Sequence, residues 1–145
     1  MDSYLDASVL VALLGREASS GYVSAWLEDS QDDLMVSDLA RAEASAALTR
    51  QARIGALSAT GVAEAFGHLD AWTSRFTNLV EIVPSDLALA THWVRRLDLS
   101  LRAPDAMHVA AARRLGAMLV TLDKGQAAAA VTLGLTCLNP ADPAN

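Results

Sequence analysis

Cysteine is nearly missing from this chain: Cys137 stands alone, so no internal disulfide can form and the composition fits a reducing compartment. Aromatic residues are also scarce, at 5%, while 52% of the residues are hydrophobic, which leaves Ala, Leu and Val to fill a core. Charge is thin at 19%, and that hydrophobic balance excludes a disordered chain. Basic residues are outnumbered, 11 Lys and Arg against 17 Asp and Glu, for a net charge of -6, which argues against a broad basic surface for nonspecific binding to nucleic acid. Nucleic acid as a substrate is not excluded, because a local arginine patch with bound cations reverses the field at one site. No basic segment precedes the apolar run 9–14, so no signal peptide is expected, and no apolar stretch reaches the ~20 residues of a membrane-spanning helix. The expectation is a soluble, cytoplasmic protein with no membrane association. Its 145 residues form one domain able to bury roughly two thirds of the unfolded surface.

What the chain does contain is an alternation of short apolar runs and amphipathic stretches. Tyr4 and Leu5 read as the end of a strand, Ser8 as the cap of a helix over 9–14, and Gly15 as its stop. A second helix over 19–29 carries Val23, Trp26 and Leu27 at buried-stripe spacing. Residues 34–36 form a strand, and Ser37 or Asp38 caps a long helix ending near Gly55. A helix over 58–75 bears Val62, Phe66, Leu69 and Trp72; a strand over 79–83 halts at Pro84, and Ser85 caps the next helix. Pro104 starts a helix at its favoured first position, ending before Gly116. A strand over 118–120, a helix over 125–133 and a strand over 136–138 follow, with a frayed tail over 140–145. Short apolar strands separated by helices predict an α/β/α sandwich around a parallel sheet.

Ligand sites in such sheets lie beyond the carboxyl ends of the strands. Asp6 follows the first strand inside an apolar segment, Asp123 follows 118–120, and Asp105 falls in the first turn behind Pro104. Glu43 interrupts a helical face otherwise shared by Leu39, Ala46, Ala47 and Arg50. A buried carboxylate is costly without compensation, and converging acids repel, so hard divalent cations with oxygen ligands would hold all four ionised. That points to metal-dependent phosphodiester hydrolysis. An acid in the first turn of a helix is equally an ordinary cap, and this reading stays open for Asp105 and Asp123. Ser8 and Thr121, two residues from Asp6 and Asp123, could hydrogen-bond a carboxylate or serve simple capping. His108, three residues after Asp105, reads as a packed or surface residue, and with His68 and His92 distant and a single cysteine, zinc ligation is not expected. The pairs Arg95–Arg96 and Arg113–Arg114 read as solvated helix faces, while Arg102 and Lys124, adjacent to the acids, are the candidate phosphate contacts.

These residues resemble a PIN domain, in particular the VapC-type toxins of toxin-antitoxin pairs. The resemblance rests on YLDASVLVALL around Asp6, SDLARAEASAAL around Glu43, RAPDAMHVAAARRLGA around Asp105 and LVTLD ending at Asp123, in that order over almost the whole chain. It implies a Mg²⁺- or Mn²⁺-dependent endoribonuclease, usually a homodimer, held inactive by a cognate antitoxin. Asp6, Glu43, Asp105 and Asp123 would then be the metal-binding acids and Ser8 and Thr121 supporting residues. Where relatives often place another acid or asparagine, this chain has Lys124, Gly125 and Gln126, which bears on a second metal site. The helices around Trp26 and Trp72 have aromatics available for a dimer surface. Two other readings remain. One is a catalytically weak or silent PIN-fold module acting through a protein partner or RNA. The other, an aspartate-nucleophile phosphatase, wants a second aspartate where Ser8 stands.

Overall fold

The computed structural model describes residues 1–15 and 17–143. Its elements run β1 (Asp2–Leu5), α1 (Ala7–Leu14), α2 (Ser20–Asp29), β2 (Asp33–Ser37), α3 (Asp38–Arg53), α4 (Ala59–Phe76), β3 (Asn78–Val80), α5 (Pro84–Val94), α6 (Ala103–Leu115), β4 (Met118–Val120), α7 (Lys124–Thr132) and β5 (Cys137–Leu138). The strands pair in the order β3-β2-β1-β4-β5, every pairing parallel. This is the expected parallel α/β/α sandwich, with β1 in the middle.

Side chains along the strands alternate between the two layers, as a pleated strand requires. Tyr4, Met35 and Leu119 turn to a core built with Trp93, Val109 and the alanines of α6 and α7. Leu5, Val36 and Val120 turn to the opposite core, shared with Val9, Leu10, Val23, Ala40 and Leu69 from α1 to α4. Small Ala side chains on α3 and α6 let those helices lie close to the sheet, and burying each Leu or Val adds about 1.5–3 kcal/mol. Trp26 and Trp72 pack onto the second core rather than standing free, and Trp72 also meets Phe76 at 6.1 Å between ring centres.

Several local expectations shift. Asp6, not Ser8, caps α1, because its carboxylate reaches two first-turn N–H groups at once. Ser37 and Ser58 cap α3 and α4 through Ala40 N–H and Gly61 N–H. Helix α5 starts at Pro84 without Ser85 as cap; Asp86 reaches back to the Val83 N–H at 3.0 Å instead. Pro104 occupies the second helical position, after Ala103. Strand β3 stops at Val80, short of 83, because the Ile82 N–H is taken by the Asp38 carboxylate at 3.0 Å and leaves the ladder. Gly116 ends α6 in the left-handed region at φ 64, as its position suggested. In the tail, Asn139 holds Ala141 and Asp142 in a hydrogen-bonded turn, so the frayed stretch does not begin at 140; 144–145 lie outside the described residues. No helix among the described residues is long and apolar enough to cross a membrane.

Candidate active site

Because β2 and β3 continue the sheet on one side of β1 and β4 and β5 on the other, the strand order reverses between β1 and β4, at their carboxyl ends. Such a switch point opens a crevice. Asp6 is the first residue past β1, where its N–H still bonds Val120 O at 3.2 Å, and Thr121 is the first past β4. Asp6 is only 3% exposed. Its Oδ1 accepts Ser8 N–H at 3.0 Å, Val9 N–H at 3.3 Å and the Ser8 hydroxyl at 2.5 Å, and its Oδ2 accepts the Thr121 hydroxyl at 2.6 Å. Ser8 Oγ and Thr121 Oγ1 accept in turn from Leu122 N–H and Asp123 N–H, both at 3.0 Å. None of the ion pairs among the described residues includes Asp6. Burial pushes its pKa above the usual carboxylate range, against the pull of the Ser8 and Thr121 hydroxyls and of His108.

Asp105 and Asp123 meet over one guanidinium. Arg102 Nε donates to Asp105 Oδ2 at 3.1 Å, and its Nη2 stands 4.0 Å from Asp123 Oδ2. The Arg102 pKa is held up by the Asp105 hydrogen bond first, with Asp123 and Glu43 adding to it, so these three acids lie within the electrostatic reach of one cation. Asp123 also caps α7, its Oδ1 accepting Gln126 N–H at 3.0 Å; capping and membership of the acid cluster are both realised by the same residue. Glu43 pairs with His108, whose Nε2 faces Glu43 Oε1 in a short contact, while Nδ1 lies 2.7 Å from the Tyr4 hydroxyl. His108 is 1% exposed, a packed histidine as read, but one that ends at a candidate site acid.

A cleft of about 510 Å³ opens here, lined by Ser8, Glu43, Arg50, Arg102 and Asp123 among others. Asp6 and Asp105 are not in its lining but stand next to it, in contact with Ser8 and Arg102. The face of α3 bearing Glu43, Ala46, Ala47 and Arg50 lines this cleft and is not the buried stripe, which is Ala40, Ala44 and Leu48. Lys124 is exposed, does not line the cleft, and takes part in none of the ion pairs among the described residues. Arg50 lines the cleft instead, on the helical face it shares with Glu43 as the spacing placed it. Sequence reasoning also passed over Tyr4 and Ser37 as polar partners, and over Gln126, which is 2% exposed and 3.4 Å from the Thr121 hydroxyl.

The donor set suits a hard divalent cation, being carboxylate and hydroxyl oxygen with one buried carboxylate that no side-chain cation among the described residues pairs with. As the side chains stand, no three His, Cys, Asp or Glu among the described residues form a ready coordination shell. Arg102 holds Asp105 and Asp123, and His108 holds Glu43. The partly exposed Arg102 side chain is the piece free to move, at 79% exposure.

A family model described as the PIN domain matches residues 3–131. The chain belongs to the PIN domain family, a family of nucleases. Comparison with curated protein sequences gives no match. Among solved structures, the chain is similar to VapC20 of Mycobacterium tuberculosis, described as a sarcin-ricin-loop-cleaving toxin, with 17% identity over 93% of this chain and 97% of that one and a TM-score of 0.73. FitAcB from Neisseria gonorrhoeae aligns at 18% identity over 95% of this chain and 97% of that one, TM-score 0.74. PAE2754 from Pyrobaculum aerophilum aligns at 27% identity over 94% and 83%, TM-score 0.67.

Proposed function

We propose that the protein is a divalent-metal-dependent endoribonuclease, the toxin of a cytoplasmic toxin-antitoxin pair. The observation that carries this reading is Asp6: a deeply buried carboxylate at the switch point of a PIN-family sheet, in no ion pair among the described residues, beside a cleft lined by Glu43 and Asp123 with Asp105 held next to it by Arg102. Support for the toxin class comes from the fold shared with VapC20 and with VapBC2 from Rickettsia felis, a complex described as bound to a promoter DNA fragment. Asp6, Glu43, Asp105 and Asp123 would hold Mg²⁺ or Mn²⁺, with Ser8 and Thr121 fixing the Asp6 carboxylate. Such an ion lowers the pKa of its water and offsets charge on a phosphodiester. Arg50 and Arg102 stand at the cleft to meet RNA phosphates, and Arg102 must release Asp105 or Asp123 for the acids to gather. The bare stretch 124–126 favours one ion over two. A cognate antitoxin covers the cleft, and the toxin acts as a homodimer.

The test is RNA cleavage by the purified protein with Mn²⁺ against the same reaction in chelator, using wild type and Asp6→Asn. Cleavage is expected only with metal and only in the wild type; an Asp6→Asn protein that folds and cuts as fast overturns the assignment. The Arg102 bridge between Asp105 and Asp123 favours a second reading, a catalytically silent PIN module acting through a partner. Expression without antitoxin separates the two, since growth arrest that disappears with Asp6→Asn belongs to a cutting site.

A further inference from the structure

Glu43 sits on the cleft wall with a third of its side chain exposed, and a glutamate so placed has three rotatable bonds and many positions open to it. In this fold it is not free. His108 from α6 crosses behind the site to meet it through Nε2, the Tyr4 hydroxyl from β1 meets Nδ1 of that imidazole at 2.7 Å, and the Tyr4 and Ser37 hydroxyls lie 2.7 Å apart. Tyr4 and Ser37 are fully buried. Ser37 also accepts Ala40 N–H as the cap of α3, the helix that carries Glu43. The chain of contacts therefore starts and ends on α3, passing through α6 and β1, so that the position of Glu43 is referred to the sheet itself.

A ring nitrogen aimed at a carboxylate oxygen must carry the proton between them. A histidine serving only to fill the core would need its Tyr4 contact and nothing on the cleft side. We propose that His108 is a positioning residue for Glu43: backed by Tyr4 and Ser37, it aims the Glu43 carboxylate into the cleft and so sets the site's affinity for a divalent cation. The cation half of this rests on the nuclease reading above. Partners of this kind, which act behind a ligand, change metal affinity or turnover by about tenfold to a hundredfold when removed.

The full-length protein, wild type and His108→Leu, His108→Gln and Tyr4→Phe, is titrated with Mn²⁺ by calorimetry and assayed on RNA, with melting curves as the check on folding. His108→Leu, similar in bulk but without a donor, is expected to weaken Mn²⁺ binding and lower kcat by about tenfold to a hundredfold at nearly constant KM. His108→Gln, whose amide places an N–H where Nε2 stood, recovers most of that loss. Adding His108→Leu to Glu43→Gln brings no further loss, because His108 acts only through Glu43. Wild-type Mn²⁺ affinity in a folded His108→Leu, or no recovery in His108→Gln, overturns the proposal. Should His108→Leu fail to fold, Tyr4→Phe carries the same test with a smaller expected loss. Nitrogen-15 spectra of the metal-free protein give an answer without activity: a proton on His108 Nε2 whose signal moves in Glu43→Gln supports the pairing, and an unprotonated Nε2 overturns it. A wild type that takes up no Mn²⁺ sinks the nuclease reading, and those spectra then decide the positioning by themselves.

Discussion

Two carboxylates in this molecule are buried almost equally, and the fold treats them in opposite ways. Asp86 is 2% exposed and Asp6 3%. Asp86 receives both Nε and Nη2 of Arg114 at 2.9 Å, plus the Val83 N–H, and Arg114 spends its remaining reach on the Glu81 carbonyl. That bidentate pair ties α6 to the start of α5 and closes on itself. Asp6 takes its hydrogen bonds from hydroxyls and N–H groups and enters no ion pair among the described residues, enough to fix its orientation and too little to neutralise it. A buried anion with a guanidinium is a fastener. A buried carboxylate without one, at a cleft, would under the nuclease reading be a socket for a positive charge from outside the chain.

The largest break in this contrast is Asp6→Asn. It is expected to lower metal-dependent RNA cleavage by more than about a hundredfold, more than loss of an indirect support would, measured as initial rates on one RNA with circular dichroism unchanged. Next comes Arg114→Leu, which strands Asp86. With Arg114 one third exposed, solvent softens the loss to about 2–3 kcal/mol, read as a drop in Tm of about 5–10 °C. RNA cleavage per folded molecule should stay unchanged, which separates fastener from socket.

A pH series sharpens the same point. The folded pKa of Asp6 is raised, so its neutral form is the one the fold favours. Below the unfolded value near 3.8 the carboxyl is protonated in both states and does no harm; as pH rises through the higher folded value that advantage is lost. In metal-free buffer, Asp6→Asn should therefore match wild type in Tm near pH 4 and exceed it at pH 8; an equal gap at both pH values argues against an uncompensated anion. The smallest effect is a control at neither residue: Ser58→Ala removes the α4 cap for about 1 kcal/mol in denaturant unfolding and leaves cleavage untouched.

The contrast also shows what could be read before folding. Asp6 and Glu43 were visible because each interrupts an apolar pattern, and the order of short strands and helices was visible because period and length separate them. The Asp86–Arg114 fastener was not: Asp86 looks like a first-turn acid and Arg114 like half of a solvated pair, and their partnership spans 28 residues without any periodic trace. Tyr4 and His108 meet across 104 residues, so a buried relay read as an isolated histidine. On α3 the misreading has a different cause. With alanine on both faces the helix offers little contrast, and the Glu43 face passed for the buried one, which is Ala40, Ala44 and Leu48. The capping exchange between Ser8 and Asp6 is a matter of one carboxylate's reach to the Ser8 and Val9 N–H groups.

The central place of β1 carries a consequence for how the protein is made. Strand β1 is followed soon by β2, but its other neighbour is β4, and the hydroxyl that closes over Asp6 belongs to Thr121, 115 residues later. Synthesis at about 5–20 residues per second puts several seconds between the two. Through that interval the nascent chain holds Asp6 without Thr121, and Glu43 without His108. A chain whose finished form cuts RNA would thus lack a completed acid cluster until Thr121 and the residues around it have been made.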